Sequence, residues 1–161
     1  MTTRTTTHDA TIERVRLQRS KLLLSMPYYG NLACGLEIKA DPSCSTAWTD
    51  GKAIGMSPAF VATIGDAELR GLIAHEVLHC AYGHQHRRNG RDQSEWNVAC
   101  DYAINGILLG DGLALPDGGL NDQRFDGMAA EQIYAILQAE KEEPVSYTHL
   151  RAHETVLDLV C

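Results

Sequence analysis

Two histidines four positions apart, with a glutamate directly after the first, are the residues best suited to chemistry in this chain: His75-Glu76-Val77-Leu78-His79. On a helix, His75 and His79 lie one turn apart on one face, about 5–6 Å between Cβ atoms. Both imidazoles can then reach a single Zn²⁺ at about 2.0–2.1 Å. Glu76 projects beside them, where a carboxylate can take a proton from metal-activated water. Composition alone would yield such a string about 0.02 times in a chain like this, so the match is informative. The plain alternative is a surface-facing pair of histidines on an amphipathic helix.

Two histidines make only half a site. His84 and His86 follow closely, and helix geometry separates them. At 100° per residue, His84 lies about 180° from His75, on the face of Ile73, Val77 and Cys80. That predicts a buried, hydrogen-bonded histidine rather than a ligand. His86 returns to the metal face, but about 10 Å along the axis from His79. If the turn at Asn89 to Asp92 reverses the chain, the next helix runs antiparallel. Asp101 then stands level with His79, and Asn105 level with His75. This predicts His75, His79 and Asp101 as metal ligands and Glu76 as the catalytic base. Asn105 is expected to hydrogen-bond the far nitrogen of His75 and fix its tautomer. The alternative for Asp101 is a solvated helix carboxylate.

The elements that must position these groups are read from periodicity and punctuation. Asp9 to Met26 reads as a helix stopped by Pro27, with Ile12, Val15, Leu22 and Leu23 at near-helical spacing. Asn31 to Ala40 is strand-like, weakened by Gly35. Thr46–Thr49, Asp50-Gly51 and Lys52–Met56 read as a hairpin around a two-residue turn of positive φ. Its strand Ala53 to Met56 is a candidate to hold an extended peptide. Ser57-Pro58 opens a short helical turn through Ala62. The first long helix runs from Asp66, its N-cap, to Arg88, stopped by Asn89-Gly90. The second runs from Asp92, in a capping-box pattern, to Gly110. A loop from Asp111 to Gly127 leads to a last helix, Met128 to about Glu142. Tyr82, Tyr102 or an upstream group could help an oxyanion, although each Tyr more simply packs its helix. Trp48 and Trp96 read as core aromatics, Cys80 and Cys100 as packing residues, and Arg87 and Arg88 as complements to a helix dipole.

The chain has 161 residues, 44% of them hydrophobic, which suits one domain with one modest core. A net charge of -7 argues against a general nucleic-acid or anionic-membrane binder. No apolar run approaches the roughly 18 residues of a membrane span. Residues 1–8 read as a disordered, Thr-rich polar arm without the apolar stretch of a signal peptide. Five cysteines without a CxxC pair suggest reduced thiols and a cytoplasmic location. After Pro144 the composition changes. Residues 145–161 resemble a translated sequencing-adapter read-through and read as a non-native tail. The domain is thus placed at 9–144, with the natural protein free to continue past Pro144. The alternative is a short C-terminal helix carrying His149, His153 and Glu154.

The string Leu72 to His84, followed by Trp96 to Asn105, resembles the bacterial and phage metallopeptidase domain family that often precedes a von Willebrand factor A-like domain. The resemblance covers roughly Ile12 to Leu137. It implies an α+β, zincin-like fold: a small sheet whose edge strand lies above the metal, an HExxH active-site helix and a following ligand helix. It is also similar to the gluzincin peptidases, whose second helix carries ExxxD. Here Asp101-Tyr102-Ala103-Ile104-Asn105 stands in that place, with a shorter ligand arm. The function implied is Zn²⁺-dependent hydrolysis of peptide bonds in a peptide or protein substrate. The alternative is a non-catalytic zinc-binding module acting as recognition or scaffold for an A-like partner domain.

Overall fold

The computed structural model describes residues 3–142, so the tail at 145–161 lies outside the described residues. Among the described residues, seven α-helices and three strands make an α+β fold: α1 (Thr3–Ser25), α2 (Pro27–Cys34), β1 (Glu37–Ala40), β2 (Ala47–Thr49), β3 (Ala53–Met56), α3 (Pro58–Val61), α4 (Asp66–Ala81), α5 (His84–Arg87), α6 (Gln93–Gly110) and α7 (Ala130–Glu142). A 3-10 turn, Gln123–Phe125, interrupts the loop before α7.

Helix α1 buries Thr11, Val15, Gln18 and Leu22, a stripe at spacings of four, three and four. The polar arm expected over residues 1–8 is instead helical from Thr3 onward. Thr11 Oγ1 donates back to the Thr7 carbonyl at 2.9 Å, a local bond by which threonine fits inside a helix. Pro27 does stop α1, and it also starts α2. The strand expected from Asn31 therefore begins only at Glu37. Helices α1 and α2 fold back tightly on each other. A Cβ on Gly30 would come within 2.1 Å of Leu23 Cα, so only glycine fits.

The sheet order is β1-β3-β2, with β3 parallel to β1 and antiparallel to β2. Strand β3, expected as the peptide-pairing strand, is central and has both edges paired; β1 and β2 hold the two outer positions. The turn also differs from a two-residue hairpin. Thr49 pairs with Ile54, and only Gly51 takes positive φ, at 82°. Asp50 Oδ1 accepts from the Lys52 and Ala53 amides at 2.8 and 2.7 Å, and this side-chain turn replaces the positive φ expected of Asp50. Trp48 is only half-buried, lying flat on Gly55 and donating to Asp41.

Between the sheet, the α1–α2 pair and α6 lies α4, with Leu69 and every residue from Gly71 to His79 buried. A helix enclosed on all sides must carry its polar residues in a paired cluster or leave them costly. Its N-cap is Gly65, not Asp66. Glu68 accepts from the Gly65 amide at 2.6 Å, while Asp66 accepts from Arg14 of α1. Near its middle, the Ala114 carbonyl crosses at Gly71, where any side chain would collide. Helix α4 ends at Ala81. Gly83, at φ 62° and ψ 32°, turns the chain left-handed before α5, so the single helix expected to Arg88 is two.

Candidate metal centre

Helices α4 and α6 are antiparallel neighbours. The level pairs are His79 with Asp101 and His75 with Asn105. Asp92 caps α6 by accepting from the Glu95 amide at 3.0 Å. The cap sets where α6 starts, and two and a half turns later its buried face presents Asp101 and Asn105 to α4.

Ligand atoms of His75, His79 and Asp101 all lie within 4.8 Å of one another, and all three residues are buried. Their hydrogen bonds decide which atoms are free. Asn105 Nδ2 donates to the Leu120 carbonyl at 2.9 Å, which turns Oδ1 toward His75 Nδ1, also 2.9 Å away. An amide oxygen only accepts, so Nδ1 carries a proton and Nε2 faces the cluster. That Nε2 is 2.9 Å from His79 Nε2 and 3.4 Å from Asp101 Oδ1. His79 Nε2 is 3.3 Å from the same oxygen.

These positions fit a small cation. Donors bound tetrahedrally at about 2.0–2.1 Å stand about 3.3 Å apart, so the two carboxylate distances already match and the imidazoles need spread only about 0.4 Å. Asp101 Oδ1 is buried without a conventional hydrogen bond. Its nearest polar neighbours are the two Nε2 atoms, at 3.4 and 3.3 Å. The protonation preferences agree. Burial pulls His75 down, but the contact and charge of Asp101 outweigh it and lift His75 to about 9. Burial pushes Asp101 up, yet its contacts with His75 and His79 hold it well below the usual carboxylate range. His79 is lowered, first by burial. The three donors thus pair one cationic histidine, His75, with the Asp101 carboxylate, and a metal ion can take the place of the extra proton on His75.

Glu76 is fully buried, and neither carboxylate oxygen has a hydrogen-bond partner. Burial raises its pKa to about 8, with His75 lowering it and Asp101 raising it further. Glu76 lines a cleft of about 180 Å³ together with His79, Thr49 of β2, His84, Asn97 of α6 and Arg88. Neither Tyr82 nor Tyr102 lines that cleft. Tyr102 packs on Phe125 at 4.9 Å, and the Tyr82 ring lies against His84 at 5.7 Å. Cys80 contacts Thr49 Oγ1 at 3.0 Å, and Cys100 is buried with Trp96 and Ala130.

The structure brings together all the residues singled out by spacing: His75, His79, Asp101 and Asn105 in one cluster, with Glu76 beside the cleft. It adds His84, which spacing had placed on the opposite face. The left-handed turn at Gly83 carries its buried ring back to His79, Nδ1 to Nδ1, at 3.2 Å. Burial, then the charges of His79 and Arg87, lower its pKa to about 3. The available signal was Gly83 itself, a residue that readily ends a helix. The Leu120 carbonyl that orients Asn105 left no signal in the sequence.

Comparison with known proteins agrees with this picture. A family profile described as "Putative metallopeptidase domain" matches residues 11–155. No curated protein and no solved structure matches the chain.

Proposed function

The chain belongs to this metallopeptidase domain family, and from that premise we propose that it is a zinc-dependent peptidase of zincin-like, gluzincin-type architecture. His75, His79 and Asp101 would hold the ion, Glu76 would act as base, and Asn105 would orient His75. The observation that carries the reading is the buried convergence of two imidazole nitrogens and one orphaned carboxylate oxygen. It lies beside a second carboxylate, Glu76, that also lacks a partner. A site built only for structure has no use for Glu76.

Bound Zn²⁺ supplies a Lewis acid, polarising the scissile carbonyl and making water acidic enough to attack near neutral pH. The residues do the rest. Asp101 and the two histidines fix the position of the attack and leave one side open toward the cleft. Glu76 takes the proton of the attacking water and delivers it to the leaving amine. Its burial raises its proton affinity above that of an exposed glutamate, which suits both halves of that transfer. Substrate would enter along the cleft in extended form. Its backbone would pair with the outer edge of β2, where Thr49 reaches the cleft wall. A von Willebrand factor A-like domain remains a candidate partner on the same reading, and residues 9–144 its catalytic unit.

The test is the zinc content of purified protein, together with casein hydrolysis by wild type and Glu76→Gln. The expected result is about one zinc per chain in both. Cleavage should fall by about 10²–10⁴-fold in the variant. Zinc retained without Glu76-dependent cleavage would instead support the scaffold module. Absence of zinc would sink both readings.

A further inference from the structure

Each histidine of the cluster has a second ring nitrogen, and the two are held differently. His75 Nδ1 meets Asn105, whose oxygen can only accept. Among the described residues, His79 Nδ1 meets one polar side chain, the Nδ1 of His84 at 3.2 Å. Two facing ring nitrogens make one hydrogen bond only if one donates and the other accepts. A histidine that offers Nε2 as a lone pair to a metal carries its proton on Nδ1, and that proton needs an acceptor. His84 is built into that place. A continuous helix would put it about 140° around from His79, but Gly83 at φ 62° breaks the helix. The indole of Trp96 donates to the His84 carbonyl at 3.0 Å and pins the backbone. The ring itself is buried between Tyr82 and Trp96.

We propose that His84 is a positioning residue for His79: its Nδ1 accepts the His79 Nδ1 proton and so aims the His79 Nε2 lone pair into the metal centre. The role rests on the metal-centre reading above, and it makes the two imidazoles a matched pair. Asn105 acts from α6 on one, and His84 acts from α5 on the other. Neither group would itself be a ligand of the ion.

Zn²⁺ affinity of the full chain, measured by chelator competition, tests this with two variants. Asn places Oδ1 at the branch where His carries Nδ1, so His84→Asn keeps an acceptor, while His84→Leu puts a methyl there. Both lose the ring packing, so the metal-free Tm should fall in both. Zinc affinity should drop about 10–100-fold in His84→Leu only, and stay within a few-fold of wild type in His84→Asn. Histidine ¹⁵N shifts of zinc-loaded wild type should show His79 protonated at Nδ1. Equal affinity in all three proteins overturns the proposal, and so does an equal loss in both variants. A bare His79 Nδ1 in the zinc-loaded wild type overturns it even if His84→Leu does not fold. Failure of wild type to bind zinc at all overturns the metal centre itself, a distinguishable result.

Discussion

Helix α6 carries two polar clusters about six residues apart, and they are built on opposite terms. Around Glu95, everything is matched from within. Its carboxylate accepts from Gln138 at 2.7 Å, from Tyr134 at 3.4 Å and from Lys141. Arg91 lies over the rings of Trp96 and Tyr134, and Arg87 makes two bonds to Glu131. Around Asp101, five titratable residues are buried (His75, Glu76, His79, His84 and Asp101 itself), and three carboxylate oxygens there accept no hydrogen bond. The penalty for an unmatched polar group is largest where water is absent. The second cluster is therefore unmatched where matching counts most. The first ties α6 to α7; the second has donor atoms placed where they could hold a metal ion.

The sharpest way to break this contrast is to supply or remove the ion. If the Asp101 cluster is completed by zinc, the zinc-loaded protein should exceed the chelator-treated one by about 4 kcal/mol at free zinc a thousandfold above Kd. For a domain of this size that is about 10 °C in Tm. Thermal melts with and without chelator measure it. An unchanged Tm would show that the cluster is complete without a metal.

The contrast also bears on what could be read in advance. The cluster was legible because it depends on two counts: four residues per turn within α4, and equal distances from the α4–α6 turn. Those counts placed Asp101 and Asn105 opposite His79 and His75, even though the helix assumed to carry the count broke at Gly83. The break lies between His79 and the turn, so it leaves the four-residue spacing of His75 and His79 intact and displaces His84; that Asp101 still stands level with His79 reflects the packing of α4 on α6 rather than the count alone. Likewise, Asp-Gly marked the β2–β3 turn, but no local pattern said that β1 would pair on the far side of β3 and make it central. That pairing joins residues about sixteen apart across the segment that holds β2, and it goes with β1 packing on α1 and β2 on α4. Helix α1 starts earlier than its Thr-rich sequence suggests for a related reason: threonine propensity is a weak prior that context overrides.

A smaller effect sharpens the comparison at Glu76. In the metal-free protein its pKa stands at about 8, against an ordinary 4.5. A raised value means that its contribution to stability is full below pH 4.5 and lost as pH rises through 8. Gln at this position does not titrate. Metal-free Glu76→Gln should therefore be more stable than wild type above pH 8, by a few kcal/mol on the order set by burying a charge, with the gap closing toward pH 4.5. Urea unfolding at pH 5, 7 and 8.5 tests this. The sign marks Glu76 as a residue kept at a cost to stability. A gap that widened toward acid pH would contradict the assignment of that cost to a buried carboxylate.

The smallest expected effect comes from the matched cluster. Arg87 and Glu131 have side chains 39% and 32% exposed, so water and salt screen the pair and its net worth is below about 1 kcal/mol. Glu131→Gln should cost no more than that by urea unfolding, and the difference should shrink further in 1 M NaCl. The same variant asks whether the two clusters are independent, because Arg87 closes the short helix that His84 opens. Arg87 would still donate to the Tyr82 carbonyl, now at 3.0 Å. Trp96 would still hold the His84 carbonyl, and the Gly83 turn does not involve Glu131. Zinc affinity should therefore stay within about twofold of wild type, well short of the 10-fold that outer partners of a ligand typically control. A tenfold loss of zinc affinity in Glu131→Gln would show that α5 is held in place from α7, and that the matched cluster is part of the machinery of the unmatched one.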